Sequence, residues 1–210
     1  MLHEEKRYPP TFGDRSLFEV AEQNPFAIVM SFGSGEPVIS HIPMLVDGEG
    51  RIERLRGHVA RANPHADAIV DGSRILVIFS GPHSYISPMW YEHPRERAPT
   101  WNYAVVHVWG TVTRTDDAGL GKMLDDLAAV AEAGYDDPWL PSNYNQQKRT
   151  SLMPFIMGFE IVPEKIESRF KLNQHNTDLD RRKVIERLTE FNDVNSAGVA
   201  RLMQETLEPK

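Results

Sequence analysis

The sequence predicts a mainly β protein, a β-barrel with flanking helices and a C-terminal helical appendage. Three observations support this fold class. Six or seven strand-like segments follow one another with few helices between them, Asp47-Gly48 is a strong hairpin signal, and the last forty residues show helical spacing. Strands linked by hairpins favour an antiparallel sheet over a parallel βαβ arrangement. We expect a barrel domain over residues 1–172 and a helical extension over 173–210.

The strands are bounded by Gly, Pro, Asn and Asp turn residues. They are predicted, in chain order, at Phe26–Phe32, Pro37–Val46, Arg51–Val59, Ile75–Phe79, Ser84–Ser87, Trp101–Thr115 and Phe155–Leu172. Gly81-Pro82 is expected to bend the chain between the fourth and fifth of these strands. Gly110, in the middle of the sixth strand, indicates a bulge or a close backbone approach.

Five helices are predicted from capping residues and apolar periodicity. Asp14 begins a short helix, and Asn63-Pro64 begins another that runs to about Val70. Apolar residues at helical spacing mark an amphipathic helix over Asp117–Ala133. Thr177 and Asp180 form a capping-box pattern before the next helix, and Ser196 is expected to cap the last one.

The composition is that of an ordinary globular chain, with 40% hydrophobic and 25% charged residues. The chain has no cysteine, which excludes disulfides, thiolate metal sites and cysteine nucleophiles. A charged start without an apolar stretch, and no apolar run long enough to span a bilayer, predict a cytoplasmic protein.

The net charge of −7 argues against a broad DNA-binding surface. Basic residues do gather near the terminal helices, where they would form a local nucleic-acid face. Acidic residues lie among them, and this mixture favours a salt-bridged surface. The basic residues are Arg181, Arg182, Lys183 and Arg187, and the acidic ones are Asp178, Asp180, Glu186 and Glu190.

Several familiar catalytic patterns are missing. The chain has no GxGxxG dinucleotide fingerprint, no GxxxxGK[ST] P-loop and no GxSxG nucleophile elbow. Its eight histidines show no recognised zinc spacing, so we expect no metal site. No pair of carboxylates stands out as a general acid and base, and the catalytic residues stay unidentified.

The first candidate binding stretch, Gly57–His65, joins a strand end to a helix start. Free N–H groups at a helix start suit a phosphate, and Arg61 would add a full charge and a bidentate fork. His58, Asn63 and His65 would add donors. The alternative is a capped turn with a solvated arginine.

Two further stretches combine aromatic and small polar residues. Residues 79–91, which include Ser87, mix hydroxyls with rings, as sites for planar ligands do. Trp101 and Tyr103 occupy alternating positions of the next strand, where they would line a ring site or a dimer interface. The alternatives are an irregular edge strand for the first stretch and plain core packing for the second.

The last candidate stretch is Arg169–Asn176. Lys171 and Gln174 would meet an anionic ligand or the pyrimidine edge of a flavin, and the alternative is a solvated strand end.

Taken together and in this order, four segments resemble the PaiB family of FMN-binding proteins, several of which are named negative transcriptional regulators. The segments are GHVARANPH (57–65), FSGPHSYISPMWY (79–91), PTWNYAVVHVWG (99–110) and KLNQHNTDLDRRKVIERL (171–188). The resemblance covers nearly the whole chain. One departure is visible, because Asn176 stands where the family usually has an arginine.

The resemblance implies the FMN-binding split barrel, shared with pyridoxamine-phosphate oxidases, in a homodimer with flavin sites at the subunit interface. In that frame the turn from His58 to His65 falls at the phosphate. Trp101 to Tyr103 and Lys171 to Gln174 fall where ring and partner contacts are expected. A flavin-dependent oxidoreductase or flavin-linked regulator is the implied function. Haem is the alternative ligand, because the same fold group includes haem-binding members, and regulation through DNA or a partner is the alternative role.

Overall fold

The computed structural model describes residues 13–33 and 35–207, which form a mainly β structure with flanking helices. Within these residues seven strands form one sheet, in the spatial order β2-β1-β5-β6-β7-β4-β3. The strands are β1 (Phe26–Ser31), β2 (Val38–Pro43), β3 (Leu45–Asp47), β4 (Arg54–Ala60), β5 (Arg74–Ile86), β6 (Thr100–Arg114) and β7 (Ile156–Lys171).

The helices lie before, between and after the strands. They are α1 (Asp14–Gln23), α2 (His65–Ala68), α3 (Asp117–Glu132), α4 (Gln146–Leu152), α5 (Asp178–Glu190) and α6 (Val194–Leu207). Short 3-10 turns occur at Pro88–Trp90, Pro94–Glu96, Pro141–Asn143 and Met153–Phe155. No helix in the described part of the chain has both the length and the apolar character of a membrane span.

The strand pairing is antiparallel, as predicted from the hairpin pattern. β1 pairs with β2 and with β5, and β4 pairs with β3 and with β7. In β1 the residues Ala27, Val29 and Ser31 are buried, and the residues between them are half-buried or exposed. This alternation gives the strand one face toward the core and one face outward.

The chain forms two compact units. Unit one contains the described residues within 13–23, 80–106 and 167–207, and unit two contains those within 24–79 and 107–166. Unit one buries apolar side chains of α5 and α6, including Val184, Leu188 and Leu202. Unit two buries Leu55, Phe79 and Phe159 among others. The division at residue 172 into barrel and extension stays a prediction.

Two of the predicted strand boundaries are wrong, each for a physical reason. Residues 37–46 form two strands, because β2 pairs with β1 whereas β3 pairs with β4. The strands predicted on either side of Gly81-Pro82 are one strand, since β5 runs without a break from Arg74 to Ile86. A Cβ at Gly81 would lie 2.9 Å from the carbonyl oxygen of Ala104, so this glycine permits close packing.

The close backbone approach predicted at Gly110 is confirmed. A Cβ there would lie 2.7 Å from Ile161 Cγ2 and would also meet the backbone carbonyl of Val162. The glycine therefore allows a close backbone approach within unit two.

The last helix begins earlier than expected. It starts at Val194, and the Asp193 carboxylate accepts a hydrogen bond from Ser196 N at 2.9 Å. Asp193 is therefore the cap, and Ser196 lies buried inside the helix. The capping residue predicted for α5 is confirmed, because Thr177 Oγ1 accepts from Asp180 N at 3.2 Å.

Candidate functional site

In unit two, the turn after β4 holds an exposed cation on a fixed backbone. Arg61 N donates to Phe155 O at 2.8 Å, and Asn63 Oδ1 accepts from His65 N at 2.9 Å. Within the described ranges the Arg61 guanidinium makes no hydrogen bond or ion pair, and the residue is exposed. A guanidinium in this position is available to an anion.

The two histidines of this turn are less accessible. His65 has no exposed surface, and its Nε2 lies 2.9 Å from Ser31 Oγ. His58 is half-buried, and its Nδ1 has no hydrogen-bond partner in the described part of the chain. Burial lowers the pKa of both rings. Arg61 is therefore the source of formal positive charge at this turn, and α2, with four residues, adds little dipole.

In unit one, the predicted aromatic positions of β6 face outward. Asn102 and Ala104 are fully buried. The alternating residues point the other way, because Trp101 is 53% exposed and Tyr103 is half-buried. The Trp101 ring lies 6.2 Å from Tyr85 in an edge-on arrangement and 6.3 Å from His83. Trp101 is thus a surface aromatic and not a core residue.

Ser87 caps a short turn. Its Oγ accepts from Met89 N at 3.2 Å, at the start of the 3-10 turn Pro88–Trp90. The hydroxyl hydrogen is free to find a second partner.

The end of β7 holds Lys171 in place. Lys171 Nζ donates to Thr100 Oγ1. Gln174 Oε1 accepts from Leu172 N at 2.8 Å, and Gln174 Nε2 donates to Phe170 O. Because these two backbone groups flank Lys171, Gln174 fixes the segment that carries the lysine.

A buried polar cluster beside Lys171 was not predicted. Asn173 has a left-handed backbone, with φ 59°, and Asn173 Nδ2 donates to Tyr91 Oη at 2.8 Å. Arg97 donates to Asn176 Oδ1 at 3.1 Å and to Asp180 Oδ2 at 2.7 Å. Burial raises the pKa of Tyr91. The partners are some eighty residues apart in the sequence, so no local pattern signals the cluster.

Asn176, at the position of the departure from the family pattern, accepts a hydrogen bond from Arg97. The loop lacks the family's arginine, but Arg97 brings a guanidinium to Asn176 from a different segment of unit one.

Unit one contains a cleft at this cluster, with a volume of about 370 Å³. This volume is within the range of small-molecule sites. Residues that line it include Tyr91, Arg97, Thr100, Lys171, Asn173 and Asn176.

The predicted site residues therefore fall into two groups. Unit two carries His58, Arg61, Asn63 and His65 on one turn, and unit one carries Ser87, Trp101, Tyr103, Lys171 and Gln174. No group of three or more potential metal ligands occurs among the described residues.

The basic residues of α5 are partly neutralised, as the salt-bridged alternative predicted. Arg181 lies 3.2 Å from the Asp178 carboxylate, and Arg187 lies 2.9 Å from that of Glu190.

Comparison with solved structures identifies the fold. The flavocytochrome Anf3 from Azotobacter vinelandii matches with a TM-score of 0.59 at 13% identity, over 81% of this chain and 73% of that one. The FAD and haem binding protein from Mycobacterium smegmatis matches with a TM-score of 0.56 at 14% identity, over 76% of this chain and 71% of that one. These likenesses confirm the predicted fold, the FMN-binding split barrel.

Sequence comparison then identifies the family. Residues 8–165 match the family described as "Putative FMN-binding domain". The chain is also 31% identical over 192 residues to the Protease synthase and sporulation protein PAI 2 of Bacillus subtilis, which covers 91% of this chain and 92% of that protein. The chain belongs to this PaiB-like family, and FMN is the cofactor that its membership assigns.

Proposed function

We propose that the chain is a homodimeric FMN-binding flavoprotein with an oxidoreductase activity. The family match over residues 8–165 is the observation that carries the proposal. When bound, FMN supplies one- and two-electron redox chemistry, and the protein supplies binding and orientation. The residues present fit that group, because the chain offers an exposed guanidinium for a phosphate and an exposed indole for a planar ring.

Arg61 is proposed as the phosphate ligand. The backbone hydrogen bonds of Arg61 and Asn63 hold the turn, so the guanidinium binds without reordering of the chain. The proposed role of Asn63 is to shape this turn, since its Oδ1 already accepts from His65 N. His65 supports the turn from the core, because it has no surface with which to touch a ligand.

The test compares FMN with riboflavin, which lacks the phosphate. Arg61→Ala should raise the Kd for FMN about tenfold or more, the effect of a lost charge-assisted hydrogen bond, and should leave riboflavin unchanged. Arg182→Ala, at an exposed position of α5, is the matched control. Equal FMN affinity in the Arg61 variant and the wild type would remove Arg61 from the phosphate role.

Trp101 is proposed to contact the flavin ring. An exposed indole gains about 0.5–1.5 kcal/mol when it stacks on a planar group. Trp101→Leu should weaken FMN and riboflavin by the same factor, because both carry the ring. A variant that affects only one of them would exclude the stacking role.

Redox activity is tested on the FMN-loaded chain. Anaerobic addition of NADH or NADPH should bleach the absorbance of oxidised flavin if either is the electron donor. A flavin that neither nucleotide reduces faster than free FMN would remove both as donors and leave the oxidoreductase role without support from this assay.

The homodimer is proposed through the outward sheet face of unit two. Phe26 is 65% exposed, Ile39 is 53% exposed, and the pairing Met30↔Ile39 places Ile39 on the same face as the half-buried Met30. A surface of this apolar character is typical of a subunit interface. Ile39→Asp should convert the dimer to a monomer in sedimentation or light scattering. A wild-type chain that is monomeric at all concentrations would contradict the proposal.

Haem is a second candidate ligand, and one observation on His83 favours it. His83 Nδ1 lies 3.2 Å from Gly81 O, and the residue is exposed, which leaves Nε2 available to iron. Titration with hemin should give a sharp Soret band that His83→Ala removes. His107→Ala is the comparison, and an unchanged band in the His83 variant would dismiss that ligand.

A regulatory role through DNA stays a prediction. The ion pairs of Arg181 and Arg187 reduce the basic surface of α5. A gel-shift series at low salt is the test, because specific DNA binding weakens steeply as salt rises. The proposal also keeps the cytoplasmic location expected from the sequence, which cell fractionation would check.

A further inference from the structure

The cleft of unit one is rich in hydrogen-bond donors. Lys171 contributes an ammonium group, Arg97 a guanidinium, Thr100 a hydroxyl and Asn176 a carboxamide. Of the charged residues that line the cleft, Glu96 is the one carboxylate beside two cations. The ion pair with Asp180 balances the charge of Arg97, so the cleft is distinguished by its hydrogen-bond donors and by the ammonium group of Lys171.

The donors are held in place before any ligand arrives. The Gln174 amide forms hydrogen bonds with the backbone on both sides of Lys171. Arg97 Nη2 donates to Asp180 Oδ2 at 2.7 Å, which holds the guanidinium in place. Both sets of contacts lie within unit one. Such preorganisation lowers the cost of binding, because little side-chain freedom remains to be lost.

The floor of the cleft contains an unsatisfied buried amide. Asn173 is fully buried, its Nδ2 is bonded to Tyr91 Oη, and its Oδ1 has no partner among the described residues. Buried polar atoms are rarely left in this state, since desolvation without a hydrogen bond is costly. This oxygen is an acceptor, so an ordered water or a protonated oxygen of a ligand would complete the set, and an ionised oxygen would not.

We infer that this cleft binds a small molecule through an acidic group, a phosphate or a carboxylate, with Lys171 as the direct cation. An ammonium, a guanidinium and a hydroxyl that line one cleft are the donor set that oxyanions select in proteins. The acidic group is either the phosphate of the flavin or part of a separate ligand. The flavin proposal assigns the flavin phosphate to Arg61, so the inference rests on that proposal only if Lys171 contacts the same phosphate, and the experiment below separates the two sources.

The experiment titrates the chain with inorganic phosphate, with FMN and with riboflavin by calorimetry. Lys171→Met should raise the Kd for phosphate about tenfold. Lys148→Met, at an exposed position of α4, should stay within about twofold of the wild type. Glu96→Gln should lower the Kd about threefold, because it removes a repelling charge from the cleft.

The FMN and riboflavin titrations identify the source of the acidic group. If Lys171→Met weakens FMN but not riboflavin, the flavin's own phosphate occupies the cleft. If the variant keeps its FMN affinity but loses phosphate binding, including in the FMN-loaded chain, the ligand is a separate acid.

The inference is overturned if Lys171→Met keeps the wild-type affinity for both phosphate and FMN, or if neither binds the wild type. Failure of the flavin proposal alone is distinguishable, since it abolishes FMN binding in the wild type and leaves phosphate binding intact. A cooperative melting curve shows that Lys171→Met is folded, and Glu96→Gln, at an exposed residue, tests the charge of the cleft in the opposite direction.

Discussion

The substitution Asp180→Asn tests the polar cluster that holds the cleft. The Asp180 carboxylate, 4% exposed, accepts from Glu92 N at 2.8 Å and from Arg97 at 2.7 Å. An asparagine keeps an oxygen for Glu92 N, but its NH₂ group then faces the guanidinium, donor against donor. One charge-assisted hydrogen bond is worth about 1.5–3 kcal/mol, and Arg97 is only partly shielded from water, so we expect a loss of about 2 kcal/mol.

The assay is thermal and urea unfolding of the two chains. A loss of about 2 kcal/mol corresponds to a fall in Tm of about 4–8 °C for a chain of this size. Glu205→Gln is the control, because its ion pair with Arg201 at 2.8 Å is exposed and should contribute less than about 0.5 kcal/mol. If Asp180→Asn is no more destabilised than Glu205→Gln, the cluster does not hold these segments together.

Two further predictions concern unit two. Gly110→Ala should cost about 1–3 kcal/mol, because the new methyl group meets the backbone carbonyl of Val162, and a urea midpoint equal to that of the wild type would contradict the packing described here. Burial lowers the pKa values of His58 and His65, so the unfolded chain binds more protons below the unfolded histidine pKa of about 6.5. Their contribution to stability is complete above that pH and is lost as the pH falls through their folded pKa values. Between pH 6.5 and 5 the free energy of unfolding should change by at most about 1.4 kcal/mol per pH unit for each ring. The variant His65→Gln, whose side chain can still form a hydrogen bond with Ser31, should have a smaller slope. An equal slope in the wild type and the variant would remove His65 from this account.

The sequence predicted the elements whose signals are local. The long strand at residues 100–114 and the helix at 117–132 were found within one or two residues, since each rests on a run of periodic apolar positions. The fold class followed from the order of these elements and from the resemblance. By contrast, α4 reads QQKRTSL and has no apolar stripe, so no pattern indicated it.

Errors arose where tertiary packing decides the local structure. The strand predicted over residues 37–46 divides because its halves have different partners, β1 and β4. Gly81 indicates a strand break in the sequence, but in the structure β5 continues through it and the missing side chain allows the close approach of Ala104. The strand partners and the packing at Gly81 depend on residues that are distant in the sequence, so the neighbouring residues do not indicate them.

The binding roles of the site residues stay predictions, and the structure shows where each residue lies. The exposure of Arg61 and Trp101 agrees with the binding roles that their residue types indicated. Gln174 was expected to contact a ligand, and in the structure its amide holds the backbone around Lys171. Arg97 and Asp180 were missed as site residues because their pairing joins segments 83 positions apart.

The central claim is that this chain binds FMN. The most direct measurement is the absorption spectrum of the purified protein before and after addition of FMN, paired with a melting curve. The account predicts a bound-flavin spectrum and, at an FMN concentration of about 100 times its Kd, a stabilisation of about 2.7 kcal/mol, or about 5–10 °C in Tm. An unchanged spectrum of free FMN and an unchanged Tm would contradict the account. If hemin instead gives a Soret band and raises the Tm, the ligand of this chain is haem.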